Sequence, residues 1–150
     1  MPEIGFRSAT SSDREWLYEL KRVTMGGYVS ETYGWDESFQ RHRFEENFKP
    51  GALKIVRVDG EDAGLLDAEE GPDHVALNRI ELLPKFQRRG LGGRVIRGLL
   101  ADARRKDKPV LLQVLRVNPA RALYERLGFT AYEETKTHYK MRFQQEDPFS

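Results

Sequence analysis

Apolar residues recur along this chain in two rhythms, one of period two and one near 3.6, and the switches between them divide it into short strands and helices. The strongest helical run is Leu91, Val95, Ile96, Leu99, Leu100 and Ala103, with Arg94, Arg97, Asp102, Arg104 and Arg105 largely on the opposite face. Nearer the N-terminus, Ser12-Asp13-Arg14-Glu15 reads as a capping box. It opens a helix that buries Trp16, Leu17, Leu20 and Val23 and ends at Gly26-Gly27. Asp36 is placed to cap a second helix carrying Phe39, Phe44 and Phe48, which Pro50-Gly51 breaks. A short fourth helix has Asn118 as its cap, Pro119 in its first turn, Ala120, Leu123, Tyr124 and Leu127 on one face, and Gly128 at its end.

The strands are shorter. Residues 4–7 suit an edge strand, and residues 53–58 and 64–66 form a hairpin around Asp59-Gly60. After a turn at Gly71-Pro72-Asp73, Val75 and Leu77 are apolar at odd positions but Ile80 and Leu82 at even ones. Either a β-bulge near Asn78-Arg79 restores one buried face, or the pattern is a plain irregularity. Pro84 closes that strand. Residues 109–115 are continuously apolar, as in a strand covered on both faces, and residues 130–135 and 137–143 read as the last two strands. Residues 144–150 look frayed.

Composition narrows the function classes. A length of 150 residues with 39% apolar content suits one domain spanning 1–150. Charged residues make up 33% of the chain yet nearly cancel to +1, which argues against a dedicated nucleic-acid binder despite Arg88, Arg89, Arg94, Arg97, Arg104, Arg105 and Lys106. The absence of cysteine excludes disulfides and thiolate chemistry and fits a reducing compartment. No run is apolar enough to span a bilayer, so a cytoplasmic location without a membrane partner is expected. His42, His74 and His138 are scattered without ligand spacing, and no metal is expected.

The candidate chemistry begins at Gln87-Arg88-Arg89-Gly90-Leu91-Gly92-Gly93, between a strand and the strongest helix. Helix N-terminal amides lack intrahelical partners, glycines let a ligand approach them, and the helix dipole favours an anion such as a pyrophosphate. The string is neither a P-loop nor a Rossmann fingerprint, since Val95 stands where a third glycine is needed. Taken alone, these residues also allow a simple strand-to-helix turn. The Gln-x-x-Gly-x-Gly pattern resembles the pyrophosphate signature of the GNAT superfamily of acetyl-CoA-dependent N-acetyltransferases. Asn118-Pro119-Ala120-Arg121-Ala122-Leu123-Tyr124-Glu125-Arg126-Leu127-Gly128-Phe129 resembles that superfamily's second signature, in the expected order. The resemblance covers residues 80–129 and weakens over the first half.

It implies an α/β fold with a mixed, mostly antiparallel sheet, two splayed central parallel strands and helices on both faces. By position, the main chain of Leu82 and Leu83 would pair with the pantetheine arm. Gln87, Arg88, Arg89, Gly90, Leu91, Gly92 and Gly93 would hold the pyrophosphate, and Asn118 would bond the arm. Tyr124 would stand near the thioester sulfur as proton donor. Asn118 and Tyr124 are six positions apart, whereas seven is commoner in the superfamily. Without the flanking motif, Tyr124 reads first as a core tyrosine on an apolar helix face.

An amine acceptor must lose a proton before it attacks the thioester. Glu81 is the only carboxylate within the strand that borders the implied cleft, although simple alternation points it away from Leu82. Asn78 through a water, or Glu31 or Asp36, are alternatives. Glu31, Trp35, Asp36 and Asn78 are candidates for contact with a small-molecule or peptide amine. Tyr28 to Glu37 reads as an aromatic, acidic loop, whose acidity mildly favours a cationic acceptor and whose aromatic residues equally suit packing over the core. The competing class is a non-catalytic acyl-CoA-binding module, and a homodimer is left open.

Overall fold

The computed structural model describes residues 1–144, so most of the tail expected to fray lies outside the described residues. Among the described residues, seven strands form one sheet in the order β1-β2-β3-β4-β5-β7-β6. They are β1 (Ile4–Ser8), β2 (Lys54–Val58), β3 (Glu61–Glu70), β4 (Val75–Leu82), β5 (Val110–Leu115), β6 (Thr130–Glu134) and β7 (His138–Phe143). Four α-helices accompany them: α1 (Arg14–Tyr33), α2 (Glu37–Asn47), α3 (Leu91–Arg105) and α4 (Ala120–Arg126). The sheet is mostly antiparallel. Its one parallel pair, β4 with β5, matches Val75, Ala76 and Leu77 to Val110, Leu111 and Leu112.

The chain gathers into two compact units, Met1–Asp67 with Arg79–Leu91, and Ala68–Asn78 with the chain from Gly92 onward. In the first unit the β2–β3 hairpin turns through Asp59 (φ 51°) and Gly60 (φ 82°), the two left-handed residues of a type I′ turn. Its main core joins Leu17, Tyr18, Leu20, Phe44, Leu53, Ile55 and Leu65, with Trp16, Trp35, Phe48 and Leu83 packed on it. A second cluster joins Val58, Ala63, Phe86 and Leu91, with Ile4, Leu82 and Leu83 against it.

Two expectations for this unit fail. The cap box forms two residues earlier, with the Thr10 N–H donating to the Asp13 carboxylate at 2.8 Å and a 3-10 turn over Ser11–Asp13 preceding α1. More consequentially, α1 runs straight through Gly26-Gly27 to Tyr33 and stops at Gly34 (φ 79°), whose N–H bonds to the Ser30 carbonyl. Two helical glycines cost roughly 1 kcal/mol each against alanine, a penalty that packing elsewhere along a helix can outweigh. Val23 and Phe39 are exposed rather than buried, and Tyr18 takes the core place assigned to Val23. Asp36 caps α2 as expected, accepting from the Phe39 N–H at 2.9 Å.

In the second unit the α3 residues Val95, Ile96, Leu100 and Ala103 and the strand residues Val75, Leu77, Val110, Leu112, Val114 and Met141 are all buried. Both of its helices end in Schellman geometry. After α3, left-handed Asp107 (φ 55°) donates to the Arg104 carbonyl and Lys108 to Ala103. After α4, Gly128 (φ 105°) donates to Glu125 and Phe129 to Tyr124. A Cβ on Gly128 would sit 3.0 Å from the Phe143 ring, so conformation and space both select glycine there.

Candidate functional site

The strand-to-helix turn is built from the first unit's second core. Pro84–Phe86 form a 3-10 turn, and buried Phe86 anchors it against Val58, Ala63 and Leu91. The Gln87 side chain donates to the Leu82 carbonyl at 2.8 Å, tying the turn to the end of β4. Arg88 (φ 60°) and Gly90 (φ 75°) are both left-handed, and buried Leu91 then starts α3. A left-handed residue followed by a helical one turns consecutive N–H groups toward one concavity, the geometry of an anion nest at a helix N-terminus. Gly90 is required by its φ alone, since a Cβ there would meet nothing within 4 Å. Arg88 and Arg89 remain exposed beside the turn, with the Arg89 guanidinium 5.8 Å from the Phe86 ring centroid.

The main chain of Leu82 and Leu83 is more occupied than the resemblance implies. The Leu83 N–H donates to the Ala63 carbonyl at 2.9 Å, and the Leu83 carbonyl accepts from the Phe86 N–H at 2.9 Å. The Leu83 N–H is thus already paired within the sheet. What Leu83 retains, like Leu82, is a second carbonyl lone pair.

Glu81 is the buried carboxyl group of the first unit. It is 4% exposed, and its Oε1 has no hydrogen-bond partner. Desolvation pushes its carboxyl above the usual carboxylate range, opposed by the nearby Arg79 and Lys21 charges. The strands crowd here, because a Cβ on Gly64 would lie 2.0 Å from the Glu81 carbonyl oxygen. The Ala63–Leu83 and Gly71–His74 hydrogen bonds at the two ends of the β3–β4 pairing stand one residue out of register. One extra residue therefore lies on the β4 side between them, in keeping with a bulge. The charges nearest Glu81 are those of Arg79, Lys21 of α1 and Asp67, whereas Leu82 packs in the cluster with Phe86 and Leu91.

In the second unit, Tyr124 is the last-turn residue whose carbonyl closes the α4 Schellman motif, and its ring meets the Phe129 edge at 5.8 Å and 64°. Burial pushes its hydroxyl up to about 12, so at neutral pH it is a proton donor. Asn118 spends its Oδ1 on the Ala120 N–H at 2.9 Å, which leaves its amide N–H groups as what it can offer a ligand.

The acceptor candidates fare differently. Residues 28–33 are helical, so the aromatic, acidic stretch is not the loop expected. Glu31 is exposed on α1, Asp36 is a helix cap, and Trp35 packs on the first core while its Nε1 donates to Glu37 at 2.8 Å. Trp35 and Asp36 thus have structural duties. Asn78 is exposed and lines a cleft of about 430 Å³ within the second unit, together with Gln113, Tyr132, His74 and His138. The strands thus bring together two histidines that look scattered in the sequence. Among the described residues no group of three metal-ligating side chains forms, and no helix is long and apolar enough to cross a membrane.

The sequence reading overlooked Lys21. It stands four residues after buried Leu17, on the inward stripe of α1, and this placement of a lysine was the available signal.

No curated protein matches the sequence. Among solved structures, the PaiA N-acetyltransferase from Thermoplasma acidophilum in complex with coenzyme A superposes with a TM-score of 0.77 at 16% identity, covering 95% of this chain and 99% of that one. An acetyltransferase from Thermus thermophilus gives 0.73 at 16% identity, over 95% and 97%. The ribosomal-protein-S18-alanine N-acetyltransferase from Escherichia coli gives 0.67 at 20% identity, over 97% of each chain. These likenesses establish the fold. Residues 58–138 match the family described as FR47-like protein, more than half of the sequence, and the chain therefore belongs to the FR47-like family, on the fold of the GNAT acetyltransferases.

Proposed function

We propose that this protein is an N-acetyltransferase that moves an acetyl group from acetyl-CoA to a primary amine by direct attack in a ternary complex, acting as one domain. The observation that carries the reading is the left-handed turn at Arg88 and Gly90 opening α3, on a fold that a relative uses in complex with coenzyme A. The N–H groups of residues 88–93 would take the pyrophosphate, with the Arg88 and Arg89 guanidinium groups beside it. The carbonyls of Leu82 and Leu83 and the amide of Asn118 would bond the pantetheine arm.

The amine nitrogen sheds two protons on its way to the amide. Glu81 accepts the first from the ammonium, a task suited to a carboxyl raised toward working pH by burial. As the C–N bond forms and the C–S bond breaks, Tyr124 supplies a proton to the sulfur. The second amine proton leaves to solvent, and exchange through solvent returns the proton held by Glu81 to Tyr124, so one proton is released per turnover. Holding both reactants together supplies further acceleration through proximity.

Incubating the purified protein with acetyl-CoA and a panel of primary amines, and following free thiol and acetylated product, tests this directly. Amine-dependent thiol release is expected. Coenzyme A binding without release for any amine would make the chain a non-catalytic acyl-CoA-binding module.

A further inference from the structure

The face of the first unit that carries Glu81 holds more positive than negative charge. Arg43 from α2 and Arg79 from β4 lie close enough to act on Lys21 of α1, and Lys21 and Arg79 close enough to act on Glu81, with Asp67 the further carboxylate beside it. Asp67 is engaged by the Arg79 guanidinium at 3.4 Å. That leaves Lys21 and Glu81. Lys21 is half-buried and makes no hydrogen bond or ion pair among the described residues, and Glu81 is buried with Oε1 unpartnered. The two feel each other's charge yet do not close to contact.

A buried ion pair offsets its desolvation only at contact distance with its remaining hydrogen bonds satisfied. A half-buried ammonium and a buried carboxyl held apart are therefore a poor structural device. They complement a ligand carrying the opposite doublet, an anion to meet Lys21 and an ammonium to meet Glu81. Burial and the repulsion of Arg79 and Arg43 push the Lys21 ammonium below its usual range, and a ligand anion would relieve that strain. A purely cationic acceptor would meet net repulsion here. Of the acidity that suggested one, Glu37 accepts from Tyr18 and Trp35 and Asp36 caps α2, which leaves Glu31, exposed on α1.

Building on the acetyltransferase reading above, we infer that the acceptor is a primary amine bearing a carboxylate close to its amino group, with Lys21 binding the carboxylate and Glu81 facing the amine. Lys21 is then a specificity-determining residue.

Matched pairs test this: L-phenylalanine against phenethylamine, and L-leucine against isoamylamine, each with acetyl-CoA. The amino acid is expected to exceed its decarboxylated partner in kcat/KM by about tenfold or more, as for a charge-assisted hydrogen bond. Lys21→Met should collapse that ratio toward one, mainly through the amino acid's KM, and Lys21→Arg should restore part of it. A wild-type ratio near or below one, or a ratio unmoved in folded Lys21→Met, overturns the inference and leaves the acetyltransferase reading standing. If no amine is turned over, calorimetric binding of the same ligands to the protein saturated with coenzyme A decides. Amino-acid binding that Lys21→Met abolishes sustains the inference while the catalytic reading falls. No amino-acid binding overturns it.

Discussion

An ionised carboxylate with an unpartnered oxygen inside a protein is costly, so Glu81 marks its presence through pH. Its folded-state pKa lies above the ordinary 4.5, so between those two values the folded chain holds more protons than the unfolded one. Stability therefore falls as pH rises through that window. Glu81→Gln should lack this fall: in urea titrations its stability advantage over wild type should grow from about pH 4.5 upward, while turnover drops by roughly 10²-fold. Constant relative stability across that range would mean that Glu81 is not desolvated as described. Tyr124→Phe makes a complementary case. The hydroxyl has no hydrogen bond among the described residues, so its removal should change stability by less than about 0.5 kcal/mol. Turnover should fall by roughly 10²-fold with coenzyme A affinity unchanged, and normal turnover would remove Tyr124 from the proton path. Glu81 stood out in the sequence as the only carboxylate of its strand, and Tyr124 came to notice only through the resemblance. Lys21 showed only as a lysine on the inward stripe of α1, because the charges around it lie in β4 and α2 and no local spacing encodes them.

Among the elements, the turn into α3 separates two kinds of glycine. Gly90 has a left-handed backbone, so Gly90→Ala should cost about 1 kcal/mol and weaken the thermal stabilisation given by coenzyme A. Gly93 sits within α3, where a Cβ would make an ordinary 3.6 Å contact with the Arg97 side chain. Gly93→Ala should be neutral or stabilising by roughly 0.5–1 kcal/mol. Equal losses in both variants would refute the conformational account. Turn chemistry was the most readable layer of the sequence: Asp59-Gly60, the Asp36 cap and Gly128 all stand where local rules put them, because each is decided within a few residues. The end of α1 was misread for the converse reason. Gly26-Gly27 satisfies the local rule for a helix stop, but the helix continues to the next glycine, Gly34.

At the scale of the whole molecule, β3 and β4 each begin in one compact unit and end in the other. With two strands shared in this way, we expect a single cooperative thermal transition, with calorimetric and van't Hoff enthalpies equal. Two resolved transitions would contradict the one-domain proposal. Cooperativity of the whole does not make every segment equally firm. The buried residues of α1, Leu17, Tyr18 and Leu20, all precede its glycine pair, and a Cβ on Gly27 would touch nothing within 4 Å. Amides near Leu20 should therefore exchange with deuterium only through global unfolding, while those from Gly27 to Tyr33 exchange through a smaller, local opening of the last two turns. The long helix that looks continuous would then act as a rigid half and a soft half, with Gly26-Gly27 marking the join.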